Sequence, residues 1–274
     1  MTVPPTIRKA KLGDLELRLV EKDKRFIGLI ISGGKVESPV EGPSADDVWR
    51  RLHDEAGMAN PKYFGFDGAR SRFLHFFPNG FHSADYERAE RNYKIDTKSA
   101  LDRAVPVEKA ANGSGYAEAV LSSYQTNLLA PFEKMRVRDA LRSPAADDFI
   151  QAAARFTLGE GKPALKAMES ALKPYDAAKW TTVTYLPFLW RSEQHMFLKP
   201  DATKDFAERV GHRFASDYEP GLDIAVYDSL LDLATRTTAE LLDLKPRDRI
   251  DVQSFIWVVG NYKEGVDDHQ LKGR

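Results

Sequence analysis

The chain has 274 residues, 40 Lys+Arg against 41 Asp+Glu, a formal charge of -1 and no cysteine. Missing cysteine excludes disulfide scaffolds, thiol catalysis and cysteine-ligated zinc or iron–sulfur centres. Near-zero charge argues against a protein that coats nucleic acid non-specifically. A content of 42% hydrophobic and 30% charged residues fits a globule with a sizeable core, as one large domain or two small ones.

The first forty residues read as strands. Leu15, Leu17 and Leu19 alternate with Glu16 and Arg18, the period of a half-buried strand. Lys22-Asp23-Lys24 is a polar turn, Phe26 to Ile31 a β-rich apolar run, and Ser32-Gly33-Gly34-Lys35 a tight hairpin. Val36 and Val40 belong to a short further strand, with Pro39 marking an edge. At Ser44 the period changes: a capping serine, Asp46 and Asp47 in the first turn, and Val48 and Leu52 at helical spacing, with Gly57 as the stop. Pro61 to Phe81 is rich in aromatics, glycine and proline, and reads as a packed, turn-rich connection. Beyond Ser83 the pattern is helical. Tyr86, Ala89, Tyr93 and Leu101 form one stripe, Leu128, Phe132, Met135 and Leu141 another, and Phe149, Ala152, Ala153 and Phe156 a third. Further helices are expected over 163–172, 201–210, 225–242 and 248–259, with Trp180–Trp190 buried. The predicted fold class is therefore α+β: a small antiparallel β-bearing head with one helix over 1–60, then a mainly α-helical body over 61–274 with a break near 112–115.

The opening residues lack the apolar core of a signal peptide, and no apolar run approaches the ~20 residues that span a bilayer, which places the chain in the cytoplasm with no membrane partner. The histidines form neither HxxxH nor HExxH. Asp267-Asp268-His269 lies in a polar tail and reads as solvated, so no metal site is expected. GxSxG and GxGxxG are absent, and Gly113-Ser114-Gly115 lacks a flanking strand and helix, so neither a serine nucleophile nor a nicotinamide or flavin cofactor is expected.

Three clusters bear on function. In Arg70-Ser-Arg72-Phe-Leu-His75 cations alternate with aromatics, a pattern that suits phosphate contact and base stacking, and equally a core segment whose Phe73, Phe76 and Phe77 pack inward. A strand would place Arg70 and Arg72 on one face; a helix would separate them by about 200°. Arg88, Arg91 and Lys94 extend a basic helical stripe that Glu87 and Glu90 can neutralise locally. Residues 1–110 carry a surplus of about +2 against about -3 for the remainder, which permits polyanion binding at one end. His195 and Lys199, four apart, are a candidate proton donor and phosphate anchor, or simply the anchor of the helix that follows. Asp248 and Asp251 suit a helix N-terminus, with a nuclease-like role for Asp251 and Gln253 as the alternative.

Six stretches together resemble a group of uncharacterised bacterial proteins over most of the chain: Phe76–Phe81, Glu90–Lys94, Thr126–Met135, Trp180–Leu189 (WTTVTYLPFL), HMFLKP at 195–200 and Arg247–Val258 (RDRIDVQSFIWV). Residues 180–260 are also similar to the helical region that precedes the AAA+ motor in restriction proteins of the McrB type. The motor's Walker A motif is missing here, so the resemblance implies a helical module beside restriction machinery, not nucleotide hydrolysis, and it assigns no catalytic residue. The resulting expectation is a non-enzymatic nucleic-acid- or restriction/defence-associated module, DNA-binding through Arg70, Arg72, His75, Arg88, Arg91 and Lys94, with a nucleic acid or a defence protein as partner. The alternatives are an enzyme acting on a small phosphorylated or nucleotide substrate through His195 and Lys199, and a protein-interaction scaffold.

Overall fold

Alternation in the first forty residues becomes a five-stranded antiparallel sheet in the computed structural model, which describes residues 5–12, 15–36, 39–58, 62–263 and 265–267. The strands are β1 (Thr6–Leu12), β2 (Leu15–Lys22), β3 (Arg25–Ser32), β4 (Lys35–Val36) and β5 (Val40–Gly42). They run in the order β1-β2-β3-β4, and β5 also pairs with β3. Asp23 and Lys24 both take positive φ in the β2–β3 turn, as do Gly33 and Gly34 in the next, which matches the twist of two-residue hairpins. Register sets Leu17 opposite Ile30 and Leu19 opposite Gly28. Helix α1 (Ala45–Met58) is capped by Ser44, whose Oγ accepts the Asp47 N–H at 3.3 Å. Its Val48 and Leu52 lie on the sheet at Gly28, where a Cβ would come within 3.0 Å of Leu52; glycine is what permits that approach.

The stretch expected to be a turn-rich connection is instead largely helix, α2 (Gly65–Phe76). Ala69, Phe73 and Phe76 are buried at i, i+4, i+7. Its interior Gly68 is a packing glycine and not a breaker: a Cβ there would lie 2.3 Å from the Phe64 ring. The remaining longer helices are α3 (Asn92–Ala104), α4 (Pro131–Leu141), α5 (Ala146–Thr157), α6 (Lys162–Leu172), α7 (Pro200–Arg209), α8 (Ile224–Glu240) and α9 (Arg249–Asn261). Residues 180–190 are buried throughout, in two short helices, Trp180–Val183 and Tyr185–Trp190. On α4 the expected stripe is corrected: Phe132 and Met135 are exposed, and Val137, Ala140 and Leu141 form the buried face.

The chain divides into two units, one formed by the described residues up to Arg72 with Asp201–Tyr218, the other by Phe73–Pro200 with the described residues from Glu219 on. The head expected over 1–60 thus shares its unit with most of α2 and with 201–218, and the break expected near 112–115 is a turn within the second unit. In the first unit the Phe64 N–H donates to the Arg209 carbonyl at 3.0 Å and Phe66 meets Phe206 edge-on. In the second, Phe73, Phe77, Phe81, Tyr86 and Phe255 form one aromatic cluster. No helix among the described residues is long and apolar enough to cross a membrane.

Candidate functional site

In the second unit, α9 starts from an extended Asp248, whose Oδ1 accepts the N–H groups of Ile250 (2.9 Å) and Asp251 (3.4 Å), so capping explains this residue. The same carboxylate takes a bidentate pair from Arg91, at 2.9 and 2.7 Å. Arg91 ends a π-helical turn, Glu87–Arg91, of the kind that recurs at functional sites. It also donates to Asp251 Oδ1 at 2.8 Å, which further accepts the Tyr86 hydroxyl at 2.7 Å. Asp251 Oδ2 accepts the Arg247 backbone N–H at 2.8 Å and its Nε at 3.1 Å. Burial alone would raise the Asp251 carboxyl, but the Arg247 bonds, with Arg91 and Tyr86, outweigh it and hold the carboxyl below its ordinary value. Burial would likewise depress Arg91, and the bonds from Asp248 and Asp251 reverse that, holding it above its ordinary value. Fully buried and saturated with donors, Asp251 is structural.

One turn further along, Lys94 is completely buried and donates to Glu90 Oε2 at 3.1 Å and to Ser254 Oγ at 2.7 Å. Glu90 Oε1 accepts the Tyr262 hydroxyl at 2.8 Å. Burial pushes Lys94 below its ordinary value, against the opposing pull of Glu90. A lysine this deep is tolerable only because it is paired.

This group borders a cavity of about 180 Å³. The wall is made by Ala89 and Glu90 of the π turn, Tyr93 and Lys94 of α3, Asn127 and Leu128, Phe197 and Lys199, and Gln253, Trp257 and Tyr262 at α9. Its chemistry is mixed: a clamped carboxylate, two amides, two lysines and four rings. Lys199 bonds the Leu128 carbonyl at 3.2 Å and lies 3.6 Å from Glu133. Gln253 is 5% exposed, yet its Oε1 has no hydrogen-bond partner. Nearly all buried polar atoms in folded proteins are paired, so this one needs an explanation.

Arg70, Arg72 and His75 lie on α2, where helical geometry sets the two arginines about 200° apart. Phe73, Phe76 and Phe77 of the same segment are buried, as its core reading has it. Arg88 is exposed and paired with Asp85. The basic stripe is corrected at its other two members: Arg91 and Lys94 are buried in ion pairs and offer no exposed cationic face. His195 and Lys199 are not brought to one place. Lys199 lines the cavity, whereas His195 is packed, with Nδ1 2.9 Å from the Tyr227 hydroxyl and Nε2 3.0 Å from the Thr157 carbonyl. Asp268 and His269 lie outside the described residues, and among those described no three acidic or histidine side chains are grouped to hold a metal.

Lys94 and Lys199, assigned to different clusters in the sequence, meet at one cavity. The reading by motif missed Glu90, Tyr93, Trp257 and Tyr262 as wall residues. Its one usable signal was i, i+4 spacing, in Glu90/Lys94 and again in Gln253/Trp257. Comparison with family models, with curated proteins and with solved structures finds no match to this chain.

Proposed function

We propose that the helical unit binds a small molecule in the cavity bordered by Glu90, Lys94, Lys199 and Gln253. The observation that carries this is the Gln253 amide, buried against the cavity with its oxygen unpartnered. Such a group costs about 1–3 kcal/mol in a folded protein, and a ligand that hydrogen-bonds it recovers that cost. The volume is below the roughly 300–1,000 Å³ of drug-sized sites, which argues for a compact occupant or for one compact group of a larger ligand. Of the two residues tied to a small phosphorylated or nucleotide substrate, this reading keeps Lys199 and releases His195. The test is native mass spectrometry of the purified protein beside Gln253→Leu. A small molecule carried by the first and not the second is the expected result. An empty wild-type protein that no metabolite stabilises would overturn the reading.

A second reading, the nucleic-acid- or restriction-associated module, is favoured by a different surface. Lys134, Arg138 and Arg142 recur every four residues, about 6 Å apart along the helix, and line a groove of about 230 Å³ with Leu121, Tyr124 and Met135. Among the described residues no acidic side chain lines that groove, and Phe132 beside it is exposed beneath the Arg136 guanidinium, 5.6 Å from the ring centre. Arg138 and Arg142 approach Asp139 and Glu118 only in exposed pairs, which are weak enough to exchange for phosphate. The bacterial restriction resemblance belongs with this reading. Its test is fluorescence anisotropy of a labelled single-stranded oligonucleotide against salt, with the three cations changed to Gln. Loss of binding together with a shallower salt slope supports it; equal binding by both proteins sinks it.

A further inference from the structure

The cavity wall also constrains what enters, given that it is a ligand site as proposed above. Its polar part has two complementary pieces. The Gln253 terminal amide presents an acceptor and a donor, and the acceptor oxygen has no hydrogen-bond partner. The Glu90 carboxylate is an acceptor whose two oxygens are each held by one donor, from Tyr262 and Lys94, leaving lone pairs for a ligand N–H. Since Lys94 neutralises Glu90, this end selects for hydrogen-bond pattern and not for positive charge. The apolar part includes Tyr93, Phe197 and Trp257, which favour a flat π-system. At another point of the wall stands Lys199, part-exposed and able to meet an anion.

We infer that the cavity encloses the base of a nucleoside monophosphate, with the donor-and-acceptor edge of that base on Gln253 and Glu90, while the ribose and phosphate, too large for the remaining volume, extend outward to the part-exposed Lys199. An amide can pair with a base edge through its donor and its acceptor together, a carboxylate accepts from a base N–H, and a lysine is a sufficient point charge for one phosphate. Edge, face and charge are each matched by residues that line the wall.

The experiment is isothermal titration of the full chain with guanosine, guanosine monophosphate and adenosine monophosphate, repeated on Gln253→Leu and Lys199→Gln, with thermal unfolding of all three proteins to verify folding. Guanosine monophosphate is expected to bind best, because its base edge offers two N–H donors beside a carbonyl. Gln253→Leu should weaken guanosine and its monophosphate alike, by about tenfold or more. Lys199→Gln should weaken only the monophosphate, by about three- to tenfold, bringing it level with guanosine. No binding of any of the three by a protein that carries a different small molecule overturns the ligand class and leaves the site standing. No binding by a protein that carries nothing, and that Gln253→Leu merely stabilises, overturns both.

Discussion

Two buried polar groups of the helical unit invite comparison, His195 and Gln253. Both sit among aromatic side chains and both are under 10% exposed. At His195 every polar atom is occupied: Nε2–H donates to the Thr157 carbonyl, Nδ1 accepts from the Tyr227 hydroxyl, and that hydroxyl in turn accepts the Met196 N–H at 3.3 Å. Burial lowers the His195 pKa, partly opposed by the Thr157 bond, so the ring is held neutral in one tautomer with no proton to give. At Gln253 the amide meets a cavity, and its oxygen has no partner. Burial of a polar residue therefore does not distinguish a packed core from a binding wall; pairing does. Histidine is the residue that chemical intuition picks first, and here it is a packing device.

The comparison can be attacked in order of expected effect. Arg91→Ala removes the bidentate partner of Asp248 and one of the donors to Asp251, and should cost about 3–5 kcal/mol in denaturant unfolding, because the part-buried Asp248 carboxylate loses that ion pair while Arg247 and Tyr86 still hold Asp251. A loss below 1 kcal/mol would mean that water reaches this network, and the distinction between saturated and unsaturated groups would fail. His195→Phe preserves the ring volume but strands the Thr157 carbonyl and the Tyr227 hydroxyl, for a loss of about 2–3 kcal/mol with ligand binding unchanged. Altered ligand binding in that variant would return His195 to the site.

His53, in the first unit, sharpens the contrast. It is buried edge-on to Trp49, with neither ring nitrogen hydrogen-bonded, and burial pushes it down to about 3, helped by the nearby His212 and Arg213 charges. Between the ordinary value of 6.5 and about 3 the unfolded state binds the proton and the folded state refuses it, so stability falls as pH falls through that window. From pH 7 to pH 5 the loss is about 2 kcal/mol, and His53→Phe should abolish it in urea titrations at the two pH values. An unchanged acid slope would show that His53 protonates in place. The smallest expected effect is that of Gln253→Leu: stability within about 1 kcal/mol of wild type, or higher, since an unpartnered amide leaves the interior. A large destabilisation would reveal a structural partner for the amide and remove the main support for the site.

Local physics was legible in the chain. Period-two alternation gave β2 and β3, paired positions tolerant of positive φ gave the two hairpins, and the capping of Ser44 and Asp248 is seen atom by atom. Helix α2 was hidden because Gly65 and Gly68 read as breakers, whereas Gly68 is demanded by the Phe64 ring, a contact that spacing does not disclose. On α4 the apolar stripe through Phe132 and Met135 is genuine in sequence, but the packed face is the one carrying Val137, Ala140 and Leu141.

The sequence by itself determined the fold class, the bounds of the helices expected over 163–172, 201–210, 225–242 and 248–259 to within a few residues, and the burial of Trp180–Trp190, because these follow from periodicity, capping and local hydrophobicity. Only the tertiary structure decided which charges are inside. Glu90 and Lys94 at i, i+4 look like a solvated surface pair until Ser254, 160 residues away, and Tyr262 close over them. Whether the Gln253 amide finds a partner depends likewise on the π turn, α3 and residues 127, 128, 197 and 199, which meet α9 only after folding. Pairing of buried polar groups is a long-range property, and the candidate site is built from little else.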